Sequence, residues 1–262
     1  MRAFFGGLFF LFTTTLLLAQ TVVEEPGLEP FFTQRGVDGC FVVLDSKKDT
    51  LHLYNPERAK VRFRPASTFK IPNALIGLDV GAVRDLDEVL PYGGTKEWMK
   101  TWEKDMNLRD AMKISNVAVF HQLAKRIGLE RMQHKLTAFQ YGNAQAGKDI
   151  ETRFWLDGPL EISALEQVDF LHRLVSGKVP VKAQALESVK TLIMYEKRPG
   201  AAIYGKTGWL GSKGTQVGWW VGWVEKEGQS YPFALNARIK SLEDAKHRIP
   251  IALDCLTKLG LW

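Results

Sequence analysis

Strand-forming runs stand at the two ends of this chain with a long helical block between them, so any sheet must join segments far apart in sequence. The run Gly39-Cys40-Phe41-Val42-Val43-Leu44-Asp45, a polar turn over 45–49 and Thr50-Leu51-His52-Leu53-Tyr54 read as a β-hairpin. After Pro199-Gly200, strand character returns in 201–207, in Gly218-Trp219-Trp220-Val221-Gly222-Trp223-Val224 and in 231–239, before a closing helix over 242–259. From about residue 66 to 177 the spacing is mainly helical, most clearly over 108–128 and over 163–177, where Leu165, Val168, Leu171, Leu174 and Val175 fall on one stripe. The pattern predicts an α/β (α+β) arrangement. A sheet lobe takes about 20–65 and 200–262, and a mainly helical lobe takes about 66–199. No internal repeat, low-complexity tract or long linker divides residues 20–262, which read as a single domain.

Residues 1–19 differ in character: Arg2 precedes an apolar run from Ala3 to Ala19. This reads as a secretory signal peptide, cut after residue 19 or 20. An uncleaved anchor is the alternative, because the run nearly reaches the roughly 17 residues of the shortest membrane-spanning helices. The polar, acidic stretch Gln20 to Pro26 favours cleavage, hence a periplasmic or secreted protein with no remaining membrane attachment.

With 262 residues, 45% hydrophobic and 24% charged, the chain can bury a sizeable core, which excludes disorder. The 35 Lys and Arg residues modestly exceed the 29 acidic ones and never run longer than two. That argues against a nucleic-acid partner and suits a small anionic substrate. Cys40 and Cys255 sit in apolar surroundings outside any C-x-x-C motif and read as free, buried thiols. The five histidines lack ligand spacing, so no metal site is expected.

Chemistry concentrates in Arg64-Pro65-Ala66-Ser67-Thr68-Phe69-Lys70-Ile71-Pro72. On a helix, positions three apart project from nearly the same face, so Ser67 and Lys70 can meet. A serine hydroxyl needs a base, and no G-x-S-x-G elbow frames a histidine for it. Lys70 is then the candidate base, provided burial depresses a pKa that is roughly 10.4 in water. Three further segments follow in order: Ser115-Asn116-Val117 in a helical stretch, Tyr141-Gly142-Asn143 in a turn, and Lys206-Thr207-Gly208 at the end of a strand.

With these segments in this order the chain resembles the penicillin-recognising serine enzymes. Within them it resembles the class D (oxacillinase-type) β-lactamases, whose ordered motifs are S-T-F-K, S-x-V, Y-G-N and K-T-G. The resemblance covers nearly the whole mature chain and includes Phe154-Trp155-Leu156 and the tract 218–223. It implies a transpeptidase/β-lactamase-like fold: a mostly antiparallel sheet flanked by helices plus a helical lobe, with the active site between them.

The resemblance also implies hydrolysis of β-lactam antibiotics, oxacillin-type penicillins included, through an acyl-enzyme on Ser67. In the family pattern Lys70 is carbamylated to N6-carboxylysine by carbon dioxide or bicarbonate and serves as general base, and no other cofactor is implied. Val117, Phe120 and Leu156 line the carbamate pocket, and the indole N–H of Trp155 donates to the carbamate. Ser115, helped by Lys206, returns a proton to the lactam nitrogen. Val117, Thr207, Gly208 and the backbone of Trp209 hold the substrate, with the oxyanion hole made by the N–H groups of Ser67 and Trp209. Arg248, with Arg238 as competitor, grips the substrate carboxylate, and Tyr141-Gly142-Asn143 lines the cleft. The implied partner is a small-molecule β-lactam, and the protein is a monomer or homodimer. Discrimination among substrates falls to the segments around 98–102 and 211–216. A β-lactam sensor domain, a peptidoglycan transpeptidase or carboxypeptidase, and a non-catalytic exported binding protein are the other readings.

Overall fold

A computed structural model describes residues 20–212 and 215–262; the segment read as a signal peptide lies outside them. Along the chain come β1 (Thr21–Glu24), α1 (Glu29–Thr33), β2 (Asp38–Asp45), β3 (Thr50–Tyr54) and α2 (Pro56–Lys60). The helical block holds α3 (Lys70–Asp79), α4 (Leu108–Lys113), α5 (Val117–Ile127), α6 (Leu129–Phe139), α7 (Ala164–Val175) and α8 (Ala183–Ile193). The chain closes with β4 (Met194–Arg198), β5 (Ala201–Ser212), β6 (Thr215–Lys226), β7 (Gln229–Arg238), α9 (Leu242–Lys246) and α10 (Arg248–Lys258).

The strands form one sheet in the order β1-β3-β2-β7-β6-β5-β4. All neighbours are antiparallel except β1 and β3. The joint between the two ends of the chain is β2 against β7, where Phe41 faces Leu235 and Val43 faces Phe233. Phe41 and Val43 pack with Phe32, Phe233, Ile251 and Leu256 on the side covered by α1 and α10. Cys40, Val42 and Leu44 join the core beneath α7 and the helical lobe. Both faces of β2 are therefore covered, which is why it reads as an unbroken apolar run instead of an alternation. Cys40 and Cys255 are free and buried in the two different cores. Burial pushes the Cys40 thiol up to about 12, which leaves it protonated and inert.

Four local expectations change. The run 108–128 is two helices, α4 and α5, parted at Ile114-Ser115-Asn116, so Ser115 lies in a turn rather than a helix, at φ +56°. The break is written into Asn116, whose side chain accepts the Val119 N–H as a helix cap and donates to the Trp102 carbonyl at 3.1 Å. The closing helix is also two helices, divided at His247, with Ser241 capping the first through the Asp244 N–H. Lys206-Thr207-Gly208 lies in the middle of β5 instead of at its end. Strands β1 and β4 join the sheet edges with short, largely exposed sequences that carry no hydrophobic alternation.

Candidate active site

Ser67 stands in a turn that its own neighbours hold in place. Ser67 sits in a 3-10 turn over Ala66–Phe69 that runs directly into α3. Ala66 takes φ +50°, a left-handed conformation unusual for a residue with a side chain, and its N–H donates to the Trp155 carbonyl at 3.1 Å. The Thr68 hydroxyl donates to the Pro65 carbonyl at 2.7 Å. Ala66 and Ser115 are thus held at costly backbone angles on either side of one cleft, a placement typical of functional sites.

Lys70 opens α3 and is 1% exposed. Its Nζ is hydrogen-bonded to Ser67 Oγ at 2.8 Å and lies 5.4 Å from the centre of the Phe120 ring. Burial, reinforced by the positive charge of Lys206, holds its pKa well below 10.5. Across the cleft, Lys206 Nζ donates to Ser115 Oγ at 3.0 Å and to the Thr207 carbonyl at 2.9 Å. Burial and then Arg248 lower the Lys206 pKa to about 7.

Arg248 is the first residue of α10, and its guanidinium donates to the Gly208 carbonyl and, through Nε, to the Ala245 carbonyl at 2.6 Å. Arg238, its competitor, ends β7 with an exposed side chain. Gly208 is required by close approach: a Cβ there would lie 2.9 Å from the Pro65 carbonyl oxygen and 3.1 Å from Thr68 Cγ2. Because β4 pairs with β5 only over Ala201–Tyr204, residues 205–212 have β6 as their one sheet neighbour. The other edge of that stretch is free beside Ser67.

Val117 begins α5 and Phe120 follows one turn later, both buried, while Leu156 is half-buried against the same core. Trp155 is fully buried and stacks on Phe69 at 5.4 Å, and its indole N–H has no hydrogen-bond partner. The cleft holds about 470 Å³ and is lined by Ser67, Trp98, Trp102, Val117, Leu156 and Trp209, among others. Tyr141-Gly142-Asn143 departs from expectation. Tyr141 is buried edge-on to Phe69 at 5.9 Å, and Asn143 clamps the next loop by donating to the Pro159 carbonyl at 2.7 Å. The motif packs behind the Ser67 turn and is not among the residues that line the cleft, and Gly142 lies so close to Glu161 that a Cβ would meet its carbonyl at 2.1 Å.

Comparison with known proteins places this geometry. The penicillin binding protein transpeptidase domain family matches residues 39–256. The chain is 39% identical to β-lactamase OXA-5 of Pseudomonas aeruginosa over 99% of its own length and 96% of that protein. It is 40% identical to β-lactamase OXA-48 of Klebsiella pneumoniae, covering 81% of this chain and 80% of that one. The crystal structure of FUS-1 (OXA-85), a class D β-lactamase from Fusobacterium nucleatum subsp. polymorphum, superposes with a TM-score of 0.86 at 40% identity, covering 91% of this chain and 99% of that one. The chain belongs to the class D β-lactamases.

Class D β-lactamases are serine hydrolases that need no metal cofactor, and the serine, the two lysines and the apolar pocket of this enzyme stand together as one unit. Three contacts around the β-lactamase cleft were not read from the sequence, although the segment 98–102 that carries the first was singled out there for substrate discrimination. Trp98, 73% exposed, sets its ring edge-to-face on both Trp102 and Trp209 at 6.0 Å and so bridges the helical lobe and β5. Arg153 reaches Glu97 at 3.3 Å, tying the loop before Trp155 to the loop that carries Trp98. His121 lies edge-to-face on Trp155 at 6.1 Å. The abundance of tryptophan was the available signal for the first; nothing in local spacing marks the other two.

Proposed function

We propose that this β-lactamase hydrolyses penicillin-like antibiotics, oxacillin-type compounds included, by way of an acyl-enzyme on Ser67. It does so in the periplasm or outside the cell, as a monomer or homodimer, and confers resistance on its host. The observation that carries this reading is the 2.8 Å pair of Ser67 Oγ and a buried Lys70 amine whose pKa is pushed well below that of an ordinary lysine.

The pocket suits a carbamate on Lys70. The amine is poised to be unprotonated, the walls formed by Val117, Phe120 and Leu156 are apolar, and the unpartnered indole N–H of Trp155 is a buried donor lacking an acceptor. Carbon dioxide combined with that amine, with loss of one proton, supplies a carboxylate base for both halves of the reaction. The remaining steps belong to the chain's own groups. Ser67 Oγ loses its proton toward the Lys70 side chain and attacks the lactam carbonyl, while the N–H groups of Ser67 and Trp209 stabilise the oxyanion. The C–N bond breaks as the Ser115 hydroxyl protonates the nitrogen, and Lys206 replaces that proton across 3.0 Å. Thr207, Gly208 and Arg248 hold the substrate carboxylate and acyl chain along β5. The proton that Ser67 gave to the Lys70 side chain passes back to Lys206; water then yields a proton to that side chain as its oxygen attacks the ester carbonyl, and this proton returns to Ser67 Oγ as the C–O bond breaks.

Two expected outcomes follow from the cations. Lys206 holds its proton below about pH 7 and loses it as pH rises through that value. In the free enzyme kcat/KM should therefore decline on the alkaline side, and Lys206→Arg, whose guanidinium stays charged but cannot pass a proton to Ser115, should lower kcat/KM at every pH and remove that decline from the profile. An alkaline limb unchanged in this variant would exclude Lys206 as its source. Arg248→Ala should lower kcat/KM about 10- to 100-fold, the worth of one or two charged hydrogen bonds, while Arg238→Ala leaves it unchanged. Steady-state assays with a penicillin decide between the two arginines. Covalent labelling of Ser67 by a fluorescent penicillin, absent in Ser67→Ala and followed by turnover, tests the reading as a whole; a label that never leaves favours a sensor or a transpeptidase.

A further inference from the structure

Helix α5 sets the Phe120 ring 5.4 Å from Lys70 Nζ and Val117 in the lining of the Ser67 cleft, and carries His121 next in sequence after Phe120. His121 is half-buried. Its ring lies edge-to-face on Trp155, with centroids 6.1 Å apart at 66°, and its Nε2 is 3.2 Å from the Ile150 carbonyl oxygen. A carbonyl only accepts, so the neutral ring carries its hydrogen on Nε2. Burial is the main cause that keeps the imidazole pKa below 6.5; the Ile150 hydrogen bond and Glu151 oppose it, and Lys125 and Arg153 reinforce it. At neutral pH the ring is an uncharged donor.

The other contacts of Trp155 reach back to the nucleophile turn. Its indole stacks on Phe69, meets Phe154 edge-on at 5.0 Å, and its carbonyl receives the Ala66 N–H. What ties the segment entering Trp155 to α5 is the bond from His121 to Ile150 together with the ion pair of Lys125 and Glu151. We propose that His121 is a positioning residue for the Lys70 pocket: by fastening Ile150 and the edge of the Trp155 ring to α5, it keeps the indole N–H of Trp155 available to a carboxylate carried on Lys70. This rests on the carbamate reading above. His121 touches neither substrate nor the reacting atoms, and its effect passes through Trp155.

The test is a titration of purified enzyme with 13C-bicarbonate, following the Lys70 carbamate signal by NMR, with thermal midpoints and acylation and deacylation rates measured alongside. His121→Ala should raise the bicarbonate concentration for half occupancy about tenfold, a size common for residues that orient a ligating group. Deacylation should slow in step while the thermal midpoint shifts little. His121→Gln, which keeps an N–H for the Ile150 carbonyl, should recover most of the occupancy. His121→Phe, which keeps the ring and loses the donor, should fall between, and it serves if the alanine variant does not fold. Occupancy curves for His121→Ala or His121→Phe that superimpose on the wild type overturn the proposal. A wild-type enzyme with no carbamate signal at saturating bicarbonate removes the carbamate reading itself, and the role of His121 with it.

Discussion

Lys70→Ala is expected to reduce steady-state turnover of a penicillin about 100- to 10,000-fold, the usual worth of a positioned general base. The loss should appear as at most one slowly formed acyl group per protein that is then not released, because in the proposed mechanism the same side chain serves Ser67 in acylation and water in deacylation. Among the described residues no other base is hydrogen-bonded to the hydroxyl: Ser67 Oγ is bonded to Lys70 Nζ, and Lys206 is engaged with Ser115 and the Thr207 carbonyl. Intact-protein mass measured over time after mixing with a penicillin reads the outcome. Rapid multiple turnover by Lys70→Ala would remove Lys70 from the mechanism.

The largest effect on stability is expected at Gly222, beneath the same site. Gly222 faces Gly205 across β5 and β6 and Phe233 across β6 and β7. A Cβ on Gly222 would lie 1.8 Å from the Tyr204 carbonyl oxygen and 2.7 Å from Gly205 Cα, contacts with backbone that no rotamer relieves. Gly222→Ala should therefore destabilise the fold by about 3 kcal/mol, at the upper end of ordinary overpacking. In a chain of this size that corresponds to a fall in thermal midpoint of about 6 to 12 °C. Gly27→Ala is the control: nothing lies within 4 Å of its Cβ position, so its midpoint should stay within about a degree or two. Because Lys206 directly follows Gly205, the Gly222 variant should also lose activity below its melting range. A Gly222→Ala protein as stable as the control would mean that β5 and β6 can separate freely at this register.

The sequence made the centre of the sheet legible and left its rims obscure, for a physical reason. Strands such as β2 and β6 are covered on both faces and announce themselves as apolar runs, whereas β4, the sequence Met-Tyr-Glu-Lys-Arg, is held by β5 on one edge and is mostly exposed. Helical spacing identified the 108–128 block but could not see that Asn116 would cap a new helix and throw Ser115 into a left-handed turn. That turn brings the Ser115 hydroxyl to Lys206, so the misread position lies within the candidate site. Ser67 and Lys70 were legible from their spacing taken together with the ordered segments at 115–117, 141–143 and 206–208, and the pair meets across a 3-10 turn that enters α3. Arg248 was nominated through family resemblance, and its bond to the Gly208 carbonyl sets it apart from Arg238. The Trp98 bridge and the bracing by Tyr141 arise from loops that meet only after folding, and neither leaves a local pattern.

The central claim is that Ser67 is acylated and then freed by a base that depends on carbon dioxide. The direct measurement is deacylation of purified mature protein mixed with a penicillin, with and without bicarbonate, after carbon dioxide has been removed at low pH. Lactam absorbance and intact-protein mass are followed together. Slow release is expected in the depleted sample and repeated turnover once bicarbonate is restored. A stoichiometric adduct on Ser67 that persists equally under both conditions would contradict the claim.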